Sequence, residues 1–487
     1  MERGSVSSPA ADGIKNAAGP VPADGLLGSL PPEYGGDIAA ELERLLAQRD
    51  ETLVVLDDDP TGTQTVHGVP VITDTTASGL REALAARPRV LYVSTNSRAL
   101  GPAEAASLAR TLGADIAGAS ADVGRRVSVV SRSDSTLRGH YPAETDALAE
   151  GLGARFDGVV ICPFFPEGGR LTIGDVHWVA EGDLLVPAAE TEYARDPAFG
   201  YASSNLPAWV EEVTAGRWPA AKVASLGLGE IRRGGPDAAC RFFRRVSGGG
   251  PVVINAAAYS DLRVAVLGML RAEARGRSFL YRTAASFVKV RGGIADRALL
   301  TPAEVNVNGG AGVIAVGSYV GRTTEQLKAL RDSADIVEIE LSARAAAGGE
   351  DESAAEAARV ASEIDKALGA GLDAVVYTSR DLIEGEGASA AVSRCLTDAL
   401  RRVRAEPAFA VLKGGITSHA CLTEWLGARK AYVLGQILRG VPVWRLADTE
   451  RGSGMPVVIF PGNVGGPSAL ADALSIMRRA RGKGSAT

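Results

Sequence analysis

The chain has 487 residues, room for about two or three domains, and its 46% hydrophobic and 23% charged residues are those of an ordinary globular protein that needs no disulfide staples. Its four cysteines, Cys162, Cys240, Cys395 and Cys421, are far apart and lack CxxC spacing, which argues against a structural zinc site and fits reduced thiols in the cytoplasm. A net charge of −6 without a Lys/Arg run disfavours nucleic acid as a partner, and no apolar run nears the ~18 residues of a membrane span.

Residues 1–35 begin rich in Gly, Ser, Ala and Pro with no apolar core, and read as a disordered tail rather than a signal peptide. From Ile38 to Gln48 the apolar residues Ile38, Leu42, Leu45 and Leu46 fall at helical spacing. Leu53-Val54-Val55-Leu56 then predicts a short buried strand that runs straight into Asp57-Asp58-Asp59-Pro60-Thr61-Gly62. Three adjacent carboxylates repel one another unless a metal, a basic group or a proton transfer uses them. The plain alternative is a solvated acidic turn that caps the next helix.

Strands and helices then alternate. Val90 to Ser94 predicts a strand, 102–117 a helix, Val127 to Val130 a strand that ends in Ser131-Arg132-Ser133-Asp134-Ser135-Thr136-Leu137-Arg138, and Gly158 to Ile161 and Val252 to Asn255 two more strands. Each apolar run delivers polar residues at its C-terminal end, the pattern of a mostly parallel sheet with a site along one edge. Arg132 and Arg138 suit a carboxylate, which a guanidinium grips with two parallel bonds, although an Arg–Asp pair that only braces the loop would look the same. The stretch 163–218 has little periodicity, and its Trp and Tyr residues argue against disorder. It carries Gly169-Arg170 and Gly174-Asp175-Val176-His177, and His177 reads more readily as structural than as a substrate contact.

Thr301-Pro302 and Asn308-Gly309-Gly310 read as a linker, after which a second alternation begins. Strands are predicted at 313–316, 336–341, 374–377, 409–412 and 457–460, and helices at 323–331, 352–368, 389–403 and 468–479. The expected architecture is α/β: a first domain over 36–305 and a second over 306–482, both with mostly parallel sheets, and a ligand cleft between them. Lys413-Gly414-Gly415-Ile416-Thr417-Ser418 and Phe460-Pro461-Gly462-Asn463-Val464-Gly465 each join a strand end to a helix start through glycines, which suits backbone N–H groups to an anion. Val316-Gly317-Ser318 is a third such strand end. No P-loop occurs, and Gly310-Ala311-Gly312 precedes a strand where a dinucleotide fingerprint must follow one.

Taken together these stretches resemble the four-carbon acid sugar kinase family from about Leu53 to Met477. The residues that carry the resemblance are Asp58-Asp59-Pro60-Thr61-Gly62, Asp134-Ser135-Thr136-Leu137-Arg138-Gly139, Gly169-Arg170, Gly174-Asp175-Val176-His177, Asp196-Pro197, Gly317-Ser318, Thr378-Ser379-Arg380, Gly414 to Ser418 and Gly462 to Gly465. The resemblance implies a kinase that uses ATP, with Mg²⁺, on a hydroxyl of a threonate, erythronate or 3-oxo-tetronate. Carried over to this chain, Asp58 and Asp59 are the catalytic candidates. Arg132, Asp134, Ser135, Arg138 and Arg170 would face the sugar acid. Ser318, Gly414, Gly415, Ile416, Thr417, Gly462 and Asn463 would hold the nucleotide. No protein metal ligand is assigned, and the only partners expected are the small acid and further copies of the chain. Three departures stand out: Ile416 replaces an acid common in the family, Thr65 another, and Phe460-Pro461 replaces a Lys-Ser or Lys-Thr pair, with Lys413 or Arg322 as the substitute cation. Two rival readings remain: a haloacid-dehalogenase-type phosphatase with Asp57 as nucleophile and Asp59 as acid/base, and a sugar-acid-binding protein without catalysis.

Overall fold

The computed structural model describes residues 19–317, 321–333, 335–379, 387–462 and 464–480. The chain divides into two compact units. The first comprises 1–58, 76–91 and 100–295, and the second 59–75, 92–99 and 296–487. The expected contiguous split near residue 305 therefore gives way to an interleaved one. Segment 59–75 joins the second unit because it is tied to that unit's late strands, and 92–99 follows it by pairing Tyr92 and Val93 with Val71 and Ile72. Pro70–Ile72 pairs antiparallel with Lys430 to Tyr432, and Trp444 Nε1 donates to Thr63 Oγ1 at 2.8 Å.

The first unit is built on six strands: β1 (Glu51–Asp57), β2 (Arg126–Arg132), β3 (Gly158–Cys162), β4 (Ala224–Leu226), β5 (Gly250–Ile254) and β6 (Phe279–Thr283). Their order is β4-β5-β3-β6-β2-β1, and every pair is parallel. Such strands are covered on both faces and so run nearly all-apolar: Val54, Val55, Val160, Val252, Val253 and Leu280 are fully buried. The helices Pro102–Val123, Leu228–Arg245 and Tyr259–Glu273 supply crossovers that the sequence reading placed only in part. The long stretch after Pro163 is not structureless. Arg170–Ile173, Val176–Glu181 and Leu184–Pro187 form an antiparallel meander whose other edge pairs with Val21–Pro22. Residues 19–35, expected to be disordered, thus contribute a strand and the helix Ala23–Gly28; residues 1–18 lie outside the described residues.

The second unit holds β7 (Val313–Val316), β8 (Ile336–Leu341), β9 (Asp373–Thr378), β10 (Ala410–Lys413), β11 (Lys430–Leu438), β12 (Val441–Asp448) and β13 (Pro456–Phe460). Their order is β11-β12-β13-β10-β7-β9-β8. From β13 to β8 all pairs are parallel, while the β11–β12 hairpin, unmarked in the sequence reading, is antiparallel. Its core gathers Val305, Ile314, Leu330, Phe409, Val411, Val441, Phe460 and Leu474. Among the described residues no helix is long and apolar enough to cross a membrane.

The N-terminal edge of the first sheet is held by buried ion pairs. Glu51, the first residue of β1, accepts from Arg49 at 2.6 Å and Arg291 at 2.8 Å, and Glu273 lies 2.9 Å from Arg49 and 3.2 Å from Arg291. Burial pushes the Glu51 carboxyl up, but the hydrogen bond from Arg49 and the charge of Arg291 outweigh it and hold the group at about 2. Removing one partner leaves a buried Arg291 undercompensated, which costs about 3–5 kcal/mol. Glu51→Gln should therefore lower the unfolding free energy read from a denaturant melt by that order and lower the midpoint with it. A midpoint equal to wild type would show the network to be neutral.

Candidate functional site

Register brings the first unit's polar residues to one line. Asp57 is the register partner of Arg132, Arg132 of Thr283, and Thr283 of Cys162, so four strands end level with one another. Arg132 is buried and donates through Nε to Asp57 Oδ1, while its Nη2 lies 3.5 Å from Asp58 Oδ1. Just beyond, Leu137 and Gly139 both take positive φ, 71° and 121°. A Cβ on Gly139 would sit 3.1 Å from Arg282 Nη2 and 3.5 Å from Asp58 Oδ2, so this glycine lets the loop close over the Arg282–Asp58 corner. Arg282 Nη2 in turn donates to the Arg138 carbonyl at 3.2 Å.

Asp134 and Arg138 are paired at 2.8 Å, with Asp196 3.5 Å from the same guanidinium. Arg138 and Arg170 both lie over the ring of Tyr193, at 5.3 and 5.4 Å, and Arg170 Nη2 meets the Tyr193 hydroxyl at 3.2 Å. The structure thus gathers Asp58, Arg132, Asp134, Arg138 and Arg170 at one strand edge and adds Arg282, Tyr193 and Asp196, of which the sequence reading noted only the last two and gave neither a role in the site. Arg282 sits on β6, an element without a motif; only its polar residue at the end of an apolar run marked it.

Ser135 enters the site through its backbone. Its carbonyl accepts from His177 Nε2 at 2.7 Å, and His177 Nδ1 faces Thr172 Oγ1 at 3.1 Å. Nε2 must therefore carry the proton and Nδ1 accept. His177 is fully buried, and burial pushes it down to about 4 against the hydrogen bond to Ser135, so the ring is neutral and braces the loop. Asp57, the nucleophile of the phosphatase reading, is 1% exposed and bonded to Arg132, a poor position from which to attack a phosphoester.

In the second unit Tyr377, Val316, Lys413 and Phe460 form one register line across β9, β7, β10 and β13. The three glycine loops therefore leave the sheet at one level. Two glycines are dictated by close approach: a Cβ on Gly317 would sit 2.1 Å from Thr417 Oγ1, and one on Gly415 would sit 2.2 Å from Asp59 Oδ2. Asp59 also accepts from the Thr61 N–H at 2.8 Å and from Arg98 Nη1 at 3.1 Å. The two candidate catalytic carboxylates, adjacent in sequence, thus belong to different units and different neighbours. His419 lies beside this cluster, with Nδ1 3.4 Å from Ser94 Oγ; burial pushes it down to about 4, opposed by the charge of Asp59. Gly414 has φ 106° and donates to the Phe460 carbonyl at 2.9 Å. Ile416 is 58% exposed, an apolar side chain at the mouth of the loop. Lys413 is fully buried, its Nζ 4.3 Å above the Phe460 ring and 3.1 Å from the Pro461 carbonyl, which puts this substitute cation at the Gly462 loop. Ser318, Asn463, Arg380 and the Arg322 side chain lie outside the described residues.

These features fit a phosphate chain: a glycine-lined strand edge, a positive-φ turn and a buried ammonium behind the loops. Among the described residues no group of three or more His, Cys, Asp or Glu could hold a metal ion; Asp59 is the carboxylate beside the Gly415 loop and would be the residue to help hold a divalent ion there.

A sugar-binding module followed by a nucleotide-binding module is the class these two edges define. The family model described as a sugar-binding N-terminal domain matches residues 53–291, and that described as a nucleotide-binding C-terminal domain matches 313–470. The chain belongs to the four-carbon acid sugar kinase family. It is 36% identical over 116 residues to a D-erythronate kinase of Heliobacterium modesticaldum, a match that spans 22% of this chain and 22% of that relative. Two solved structures share the fold. A Haemophilus influenzae protein, HI1011, has a TM-score of 0.57 at 17% identity, over 88% of this chain and 100% of its own. A Salmonella typhimurium protein titled a putative tRNA synthase has a TM-score of 0.64 at 16% identity, over 87% and 98%.

The neutral His177 sets a pH dependence. Below its ordinary value of 6.5 the unfolded chain takes up a proton that the folded chain refuses until about 4. Its contribution is therefore complete above 6.5 and is lost as the pH falls towards 4, by about 3 kcal/mol in all. Between about pH 7 and about pH 4.5, His177→Gln should lose less stability in urea melts than wild type. Parallel losses would contradict the assignment.

Proposed function

We propose that this chain is a cytoplasmic ATP-dependent kinase that phosphorylates a hydroxyl of a four-carbon acid sugar of the threonate, erythronate or 3-oxo-tetronate type. The observation that carries this reading is the edge of the sugar-binding unit, where Arg132 lies beside Asp58, Arg138 pairs with Asp134, and Arg138 and Arg170 share the Tyr193 ring, a set of groups that matches the carboxylate and hydroxyls of a small acid. The partial match to a D-erythronate kinase supports the substrate class.

Bound ATP with Mg²⁺ would supply the phosphoryl group. The chain's own residues do the rest, and in phosphoryl transfer that is chiefly positioning and charge neutralisation. Arg138 and Arg170 hold the substrate carboxylate, with Tyr193 between them fixing their planes. Asp58 accepts the proton of the attacking hydroxyl, and Arg132, 3.5 Å from that carboxylate, orients it. Asp59, against Gly415, is the carboxylate nearest the phosphates. The glycines 414, 415 and 462 with Thr417, Ser318 and Asn463 receive the nucleotide, and exposed Ile416 offers it an apolar contact.

A screen of threonates, erythronates and their oxo forms with ATP tests the reading directly. For the active substrate, Asp58→Asn should lower kcat by about 10²–10⁴-fold with little change in either Michaelis constant, as loss of a general base does. Full turnover by this variant would remove Asp58 as the base, and phosphate release from phosphoesters without ATP would favour the phosphatase reading.

A further inference from the structure

The loop that follows β13 is gripped from behind by two buried side chains. Lys413 Nζ, from the end of β10, donates to the carbonyls of Pro461 at 3.1 Å and Gly462 at 3.4 Å. Gln326 Nε2, from the helix Gly321–Ser333, donates to the carbonyls of Val464 at 3.1 Å, Gly465 at 3.4 Å and Gly466 at 3.0 Å. Both side chains are fully buried. Five carbonyls of one short loop thus converge on two donors inside the unit.

In a trans peptide the C=O and the following N–H point in opposite directions. Carbonyls drawn inward at 461, 464 and 465 therefore turn the N–H groups of Gly462, Gly465 and Gly466 outward. Among the described residues no acceptor receives these three N–H groups. Gly465 takes φ 85°, the left-handed conformation that lets successive N–H groups curve around one point. A row of outward N–H groups with a buried ammonium behind it is an anion cradle. Its orientation comes from residues outside the loop.

We infer that Gln326 and Lys413 are positioning residues that preset this loop to receive the phosphate chain of the nucleotide. The inference rests on the nucleotide reading above and adds the mechanism by which the loop is aimed. Gln326 carries no motif and lies 136 positions before Gly462 in the sequence. Lys413 supplies charge as well as donors: its ammonium is desolvated and held close to the cradle, where its field is little screened.

The test uses the full chain. ATP, ADP, AMP and adenosine are titrated calorimetrically into wild type, Gln326→Met and Lys413→Met, and steady-state constants are measured for both substrates. Both variants should weaken ATP at least tenfold, by a factor that shrinks from ATP to AMP and vanishes for adenosine. KM for ATP should rise while KM for the acid sugar stays within twofold. A loss equal for all four ligands, or none, overturns the inference. Should a variant fail to fold, hydrogen exchange on wild type decides: ADP should protect the peptide that spans 461–466, and an unprotected peptide in a chain that binds ADP overturns the inference alone. A wild-type chain that binds neither ATP nor ADP overturns the nucleotide reading itself.

Discussion

Parallel strands in register are the constraint on which both sites depend. A parallel pair leaves every strand pointing the same way, so all C-terminal ends share one edge. In the first unit Asp57, Arg132, Thr283 and Cys162 stand level, and in the second Tyr377, Val316, Lys413 and Phe460 do so. Residues far apart in sequence thus meet without any long reach. The opposite edge of the first sheet is free to be stabilised independently, and it holds the Glu51–Arg291–Glu273–Arg49 network. Stability and chemistry are separated by the length of a strand.

Much of this was legible because buried parallel strands read as continuous apolar runs, and polar residues that close such a run have few places to be other than the edge. Every strand expected from that pattern is present. Other parts were hidden for physical reasons. Burial alternates along β11, but its less buried positions include Tyr432, Leu434 and Leu438, so the sequence itself shows no period of two. The meander after Arg170 has strands of four to six residues, too short for periodicity to stand out. The interleaving of the units depends on pairings such as Pro70–Ile72 with Lys430 to Tyr432, and no local signal encodes a partner so far away. Candidate site residues followed the same division. Those on motifs stand out in the sequence, while Arg282 and Gln326, single polar residues on ordinary elements, acquire meaning only from what they touch.

The Arg–Asp pairs of the first unit illustrate how two readings of one contact can both hold. Arg138 braces its loop through Asp134 and Asp196, which is the structural account of a guanidinium beside carboxylates. Yet a guanidinium has five donors in a fixed fork, and these pairs occupy only some of those of Arg138, which with Arg170 also lies over the Tyr193 ring. On the proposed reading, bracing would reduce the entropy lost on binding an acid rather than compete with that binding.

Asp58 and Asp59 carry the same logic to the reaction. Successive side chains on an extended backbone project to opposite sides, and Asp59 is extended, with φ −152° and ψ 129°. One carboxylate turns to Arg132 and the corner closed by Gly139. The other turns to Arg98 and Gly415. Two like charges on neighbouring residues are tolerable because each has its own guanidinium, and a single step along the chain distributes one acid to the sugar-binding unit and one to the nucleotide-binding unit. A cluster that looks like one paired-carboxylate site in the sequence divides between two sets of neighbours, Arg132 and the Gly139 corner for Asp58, Arg98 and Gly415 for Asp59.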